Sequence, residues 1–319
     1  MQVPTTPAPP PADQVHAAVR DYYGSPLATR ADLKTRACCS TEAKFYGCGA
    51  PLPPALDGCT VLDLGCGTGR DVFLAAALAG PNGRVIGVDM TAEQLEVAER
   101  HAATHAERFG FDTVTTDFRL GTIEDLAALG IEDDSVDVVI SNCVLNLTPD
   151  TRAAFAEIVR VLTPGGELYF SDVCADRRFP ADVAADPVIH GECLGGALYE
   201  EDFRRMLFDL GVPDYRIVSS RPIEVEDEAI AAKTGRIQFS SKTVRAFKVT
   251  SLEDRCEDYG QVAFYRGGID EQPHAFLLDD HHLFEKDRPM LVCGNSAAMV
   301  QETRYGRYFD VLGNRSTHF

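Results

Sequence analysis

Val61-Leu62-Asp63-Leu64-Gly65-Cys66-Gly67-Thr68-Gly69-Arg70-Asp71 is the stretch that decides the fold. A β-rich run picks up an acid, breaks into a loop of alternating glycines and opens at once into an amphipathic segment. Glycine lets the backbone turn sharply and lets a ligand come close to it. Twenty residues beyond Gly69, at the end of the next β-rich run, stands Asp89, where a carboxylate can accept hydrogen bonds from ribose hydroxyls. Dinucleotide-binding folds use a related loop with the spacing G-x-G-x-x-G. Here the spacing is G-x-G-x-G, and Asp63 precedes it. That acid disfavours a pyrophosphate and suits a ligand that carries an amino group and a sulfonium.

Outward from this loop, short β-rich runs alternate with longer amphipathic stretches, the pattern of a doubly wound, mostly parallel α/β sheet. The spacing predicts strands over 60–64, 84–88, 113–120, 136–141 and 167–172, with a last strand over 244–249. It predicts helices over 15–23, 70–78, 92–106, 151–162 and 200–210, the fourth being broken by Pro164-Gly165-Gly166. Four segments follow: a tail and N-terminal cap over 1–57, a ligand-binding core over 58–175, a region completing the sheet over 176–250, and a small C-terminal extension over 251–319.

Composition narrows the class further. The chain has 319 residues, 45% hydrophobic and 25% charged, which suits a globular core and leaves no apolar run long enough to span a membrane. The first thirteen residues lack the basic start and apolar stretch of a secretion signal, so a cytoplasmic location is expected. A formal charge of −19 argues against nucleic acid and anionic membrane as partners, since both recruit Lys and Arg. Ten cysteines in a reducing compartment are not read as a disulfide framework; about half are expected to be small buried apolar residues.

The glycine loop, Asp63 and Asp89 resemble the first motifs of class I methyltransferases, whose fold is Rossmann-like. That resemblance implies S-adenosylmethionine as cofactor, with Gly65, Gly67 and Gly69 beside its methionine part, Asp89 on the ribose and Met90 against adenine. Gly121-Thr122-Ile123-Glu124 would flank the adenine. Asn142 and Val144, just after the fourth strand, would lie beside the reacting centre.

Four further segments narrow the resemblance: Leu33-Lys34-Thr35-Arg36-Ala37-Cys38-Cys39, Phe45-Tyr46-Gly47-Cys48-Gly49, Ser141-Asn142-Cys143-Val144-Leu145-Asn146-Leu147, and His190-Gly191-Glu192-Cys193-Leu194-Gly195-Gly196-Ala197-Leu198-Tyr199. Together they are similar to the arsenite methyltransferase family. The resemblance implies that Cys143 and Cys193 bind trivalent arsenic, that Cys48 supplies a third thiolate, and that Tyr46 touches the cofactor. It also implies that Cys38 pairs with Cys48 in a disulfide during turnover, which calls for a thiol reductant such as thioredoxin or glutathione. Cys39 is a neighbour able to replace Cys38. The chemistry agrees, because trivalent arsenic is soft and prefers thiolate sulfur to carboxylate. Two departures stand out: nine residues separate Cys38 from Cys48, fewer than the family commonly carries, and no cysteine-rich tail is present.

Two other functions fit the residues less well. A methyltransferase for an organic small molecule needs a base near the acceptor, and Asn142 and Asn146 do not titrate, which leaves His190 as the nearest candidate. A non-catalytic, thiol-based metalloid-binding protein has no need of an intact cofactor motif, and no pair of C-x-x-C motifs suggests structural zinc.

Overall fold

The computed structural model describes residues 11–24, 49, 51–184, 186, 189, 193–225 and 227–319. Helix α1 (Ala12–Gly24) precedes an alternating series: β1 (Thr60–Leu64), α2 (Arg70–Ala79), β2 (Arg84–Asp89), α3 (Ala92–Phe109), β3 (Thr116–Leu120), β4 (Val136–Asn142), α4 (Thr151–Val161) and β5 (Leu162–Ala175). After β5 come β6 (Leu198–Tyr199), the helix Glu200–Asp209, β7 (Tyr215–Ile223) and β8 (Phe239–Phe247).

The strands form one sheet in the order β3-β2-β1-β4-β5-β8-β7, with β6 paired to β5. Pairs from β3 through β5 are parallel, while β8 runs antiparallel to both β5 and β7. Because side chains alternate across a strand, the two faces bury different sets. Val61, Val85, Val138 and Ile140 pack with Val72 and Ala75 of α2 and Leu95 of α3. Leu62, Leu64, Ile86, Val88 and Val139 pack with Phe155 and Ile158 of α4 and Phe203 of the following helix. Strand order reverses between β1 and β4, and the crevice outside the carboxyl ends of such strands is where α/β sheets bind ligands.

The last strand runs over Phe239–Phe247 rather than 244–249, the two-residue β6 was not expected, and two further details differ from the sequence expectation. Pro164-Gly165-Gly166 does not separate α4 from β5: the strand begins at Leu162, and its partners step from Val136↔Leu162 to Val138↔Glu167, so the intervening residues bulge out. β7 was not expected, since Ser219, Ser220, Arg221 and Pro222 give no apolar alternation. Its outer half is exposed because it forms the sheet edge, where proline is tolerated.

Beyond Ser251 the chain builds a three-stranded antiparallel sheet, β12-β9-β13 (Pro289–Val292, Gln261–Tyr265, Phe309–Leu312), a hairpin of β10 and β11 (Ala275–Leu277, Leu283–Glu285), and the helix Gly294–Gln301. This unit has its own core around Tyr265, Phe276, Phe284, Met299 and Tyr305. Glu167 of β5 ties it to the main sheet. That buried carboxylate accepts from Arg245 Nε at 2.5 Å and from Tyr305 Oη at 2.8 Å, and it pairs with Arg304 at 2.5 Å. Arg304 also donates to the carbonyls of Pro54 and Ala55, ahead of β1. No helix among the described residues is long and apolar enough to cross a membrane.

Candidate active site

At the carboxyl ends of β1, β2 and β4 lies a cleft. Gly65, Gly67, Asp89, Met90, Ile123, Glu124, Asn142, Cys143 and Val144 all line it. The first turn of the glycine loop has a steric reason. Gly65 sits at φ +70°, and a Cβ there would stand 2.4 Å from Val144 Cγ2, so only glycine lets the β1 loop and the β4 end meet. Gly69 is not among the lining residues; it packs against Phe73, Ala98 and Phe118, where α2 and α3 meet the sheet. Asp63 stands behind the loop, 3% exposed.

Three acids gather around the loop. Burial drives the Asp63 carboxyl well above the usual carboxylate range, and neighbouring Asp71 and Asp89 add repulsion. Burial also raises Asp89, offset in part by backbone donors: Oδ1 accepts from Thr91 N at 2.8 Å and Oδ2 from Gly67 N at 2.9 Å. The Thr91 side chain and the Met90 backbone donate to the same carboxylate. Asn142 is held by its amide, which donates to Gly49 O at 2.9 Å and Asp71 Oδ2 at 3.0 Å, while its Oδ1 is buried without a hydrogen-bond partner. An orphaned acceptor beside acids under mutual repulsion fits a ligand bearing ammonium and sulfonium charge, and the Asp89 carboxylate on the cleft wall fits a diol.

β4 ends at Asn142, and Cys143 follows it directly. Cys143 and Cys193 are two of the described non-glycine residues with positive φ, at 55° and 62°, a conformation that costs about 1 kcal/mol or more. Both are 3% exposed and belong to one apolar cluster with Val19, Leu147, Val173, Ile189 and Phe239. The Cys193 loop is fixed from below: Asn146 Nδ2 donates to Cys193 O at 2.7 Å, and Asn146 N donates to Asp172 Oδ2 at 3.2 Å. Cys143 is disulfide-bonded in the structure. Cys38, Cys39, Tyr46 and Cys48 lie outside the described residues, and so does the expected Cys38–Cys48 disulfide.

Other cysteines stand apart from this cluster. Cys66 packs over the face of Gly87, and burial pushes its thiol well up. Burial also pushes Cys174 up to about 12 and raises Cys59, so both are inert thiols.

Sequence reasoning missed the contribution of α1. His16 and Val19 line the cleft, and the His16 ring lies 3.1 Å from Glu124 Oε1, tying the helix to the wall formed by Ile123 and Glu124. Their i, i+3 spacing in a helix already predicted was the available signal. Leu147, the end of the Ser141–Leu147 segment, also lines the cleft, as do Gln94 and Thr148, which no motif marked.

Comparison with known proteins fits this geometry. A family model described as "Methyltransferase domain" matches residues 55–211. An arsenite methyltransferase of Aquipseudomonas alcaligenes is 49% identical, across 96% of this chain and 93% of its own length. The arsenite methyltransferase of Mus musculus is 38% identical, across 93% of this chain and 84% of its own. The crystal structure of an arsenic(III) S-adenosylmethionine methyltransferase from Chlamydomonas reinhardtii superposes with a TM-score of 0.83 at 46% identity, covering 98% and 99% of the two chains.

Proposed function

This chain belongs to the arsenite methyltransferase family, and on that premise we propose that Cys143 and Cys193, with Cys48, hold trivalent arsenic at the end of β4 beside the donor cleft. The chain is an S-adenosylmethionine-dependent enzyme that methylates trivalent arsenic. In our reading residues 58–175 bind the donor and 176–250 complete the acceptor site.

The observation that carries the proposal is the shared position of Cys143 and Cys193. They are two buried sulfur residues in strained backbone, in one apolar cluster, with Cys143 on the wall of the cleft. Strain of this kind persists where surrounding structure fixes it, commonly at functional sites.

S-adenosylmethionine supplies an activated methyl on a sulfonium. Gly65, Gly67 and Asn142 suit the methionine end, Asp89 the ribose, and Met90, Ile123 and Glu124 the adenine; Tyr46 belongs to the same proposal. Thiolate ligation leaves arsenic one lone pair, the nucleophile, so no general base is required. The residues therefore act by position, and holding two reactants in near-attack geometry contributes up to roughly 7–11 kcal/mol. His16 and Glu124 bring α1 over the cleft and help exclude water. Reduction must precede arsenic binding, because only thiolate sulfur ligates trivalent arsenic. Thioredoxin or glutathione supplies that step in our reading, with Cys38 and Cys48 closing a disulfide during turnover. A cytoplasmic location, where thiols stay reduced, goes with it.

The test incubates the full chain with S-adenosylmethionine, arsenite, glutathione and a thioredoxin system, then separates arsenic species by chromatography with elemental detection. Methylated arsenicals from the wild type and none from Cys143→Ser or Cys193→Ser support the assignment. Full activity in all single Cys38→Ser, Cys48→Ser, Cys143→Ser and Cys193→Ser variants refutes it.

A further inference from the structure

Two cysteines without a role in the cleft meet in the C-terminal unit. Cys293 is the N-cap of the helix Gly294–Gln301, its sulfur accepting from Ser296 N at 3.4 Å and lying 3.3 Å from Ser296 Oγ. Cys256, exposed, is hydrogen-bonded to Cys293, and both are reduced. One guanidinium nitrogen of Arg216 lies 3.9 Å from the Cys256 sulfur and 3.8 Å from that of Cys293. Arg216 is itself half-buried, held by Asp214 at 2.7 Å and Asp279 at 3.4 Å. Behind Ser296, His282 Nε2 lies 3.5 Å from its hydroxyl, and His282 Nδ1 bonds Asp279 at 2.7 Å. The two thiols open on a surface depression with an apolar rim at Leu291 and Phe319.

This set is built for a nucleophilic dithiol. Burial raises the Cys293 thiol, but donors from Ser296 and the Arg216 guanidinium outweigh it, and the net shift is downward. The Cys256 thiol is shifted the other way, with burial first among the causes. Such an asymmetric pair presents one thiolate and one proton-bearing thiol.

The number of ligands selects the occupant. Among the described residues no third metal-ligating side chain closes on this pair, and the adjacent guanidinium repels a divalent cation, so a tetrahedral zinc site is excluded on charge and count. Inorganic arsenite is best satisfied by three sulfurs. Methylarsonous acid already carries one carbon on arsenic and needs only two. We propose that Cys256 and Cys293 form a second, non-catalytic thiol site that captures singly methylated trivalent arsenic. The proposal rests on the arsenic-methylating function of the chain, whose first methylated product has this composition once reduced. Binding is a ligand exchange without redox: CH3As(OH)2 and two thiols give CH3As(SR)2 and two waters, two As–S bonds replacing two As–O bonds. The product is neutral, and its methyl faces the Leu291 and Phe319 rim.

The test uses the full chain, reduced, freed of reductant under anaerobic conditions, and without S-adenosylmethionine. It is labelled with N-ethylmaleimide with and without methylarsonous acid, and the modified cysteines are located by peptide mass spectrometry. With the ligand at about ten times its dissociation constant, labelling of Cys256 and Cys293 should slow about tenfold, in line with the fraction of free site. In Cys293→Ser the protection of Cys256 should vanish, since chelation needs both sulfurs. Serine is itself a preferred N-cap, so this variant keeps its helix start. Labelling of Cys256 that ignores the ligand, or protection that survives in Cys293→Ser, overturns the proposal. Arsenic methylation assayed on the same preparations reports separately on Cys143: Cys143→Ser should abolish the product and leave protection of Cys256 intact.

Discussion

Replacing Gly196 by alanine should silence the acceptor site while leaving the donor site whole. A Cβ at this position would stand 1.6 Å from the backbone oxygen of Asn146 and 2.7 Å from its carbonyl carbon. An ordinary carbon–oxygen contact is about 3.3 Å or more, so the two backbones must separate by roughly 1.5 Å. Asn146 cannot move: it is 1% exposed, and it is anchored through its N–H to the buried Asp172 carboxylate. The displacement therefore falls on the loop that carries Cys193 and breaks the 2.7 Å bond from Asn146 Nδ2 to Cys193 O. Leaving that buried carbonyl unpaired costs about 1–3 kcal/mol of local stability. A sulfur misplaced by about 1 Å costs on the order of 10²-fold in rate, equivalent to about 2.7 kcal/mol of barrier. Single-turnover transfer of a radiolabelled methyl group to arsenite should show this loss. Calorimetric titration of S-adenosylmethionine should give an unchanged affinity, because Gly65, Gly67 and Asp89 do not touch the loop's new position. A rate within about threefold of wild type, or a parallel loss of cofactor affinity, refutes the separation of the two sites.

Asp89→Ala should weaken S-adenosylmethionine binding by about 10- to 100-fold, the worth of a charge-assisted hydrogen bond of about 1.5–3 kcal/mol, read by the same titration. Glu167→Gln should lower unfolding stability by about 3–5 kcal/mol, because Arg245 and Arg304 lose their shared buried partner; an unmoved urea midpoint contradicts this account of how the C-terminal unit docks. Asp172 gives a pH effect of opposite sign to that of an ordinary salt-bridged acid. Burial pushes its pKa up to about 7, despite hydrogen bonds from the Val173, Asn146 and Leu145 backbones. The folded state thus binds the proton more tightly than the unfolded chain does. Its stabilising contribution is complete below the unfolded value near 4 and is lost as pH rises to about 7, at up to about 1.4 kcal/mol per pH unit. Urea unfolding across that range should show a shallower decline in Asp172→Asn, and equal slopes in the two proteins rule the assignment out.

The parts of the fold that the sequence made legible are those where one physical signal dominates. β1, α2 and β2 are readable because Gly65, Gly67 and Gly69 punctuate two apolar runs whose alternation both faces of the sheet enforce. β7 was illegible because an edge strand buries little, so Ser219, Ser220 and Pro222 reveal nothing of its pairing with β8. Pro164-Gly165-Gly166 reads as a break and is one in local conformation, yet β4 holds partners on both sides of the bulge. Gly69 shares its motif with Gly65 but serves packing, a distinction that needs the neighbours Phe73, Ala98 and Phe118. The pairing of Cys256 with Cys293 could not be read from positions 37 residues apart; β7 supplies the Arg216 that lies against both.

In the proposed assignment, the tripeptide Asn142-Cys143-Val144 lets one strand end serve two ligands of unlike chemistry. Asn142 is the last residue of β4 and is pinned sideways to Asp71 at the start of α2. Val144 fills the notch that Gly65 leaves open. With both neighbours committed to the donor side, the backbone between them must turn, and the Cys143 N–H still bonds the carbonyl of Ser171 at 2.8 Å. The left-handed φ of 55° at Cys143 is the conformation that meets these constraints together. It carries the cysteine out of the strand's alternation and into the apolar cluster shared with Cys193. Glycine would adopt that conformation at lower cost, so a strained cysteine between two donor-side residues signals that the sulfur, not the turn, is what this position provides. Compared under reducing conditions that open the Cys143 disulfide, Cys143→Gly should accordingly fold at least as stably as the wild type in urea while losing arsenic methylation, and a variant that then unfolds more easily would show that the thiol's role is packing.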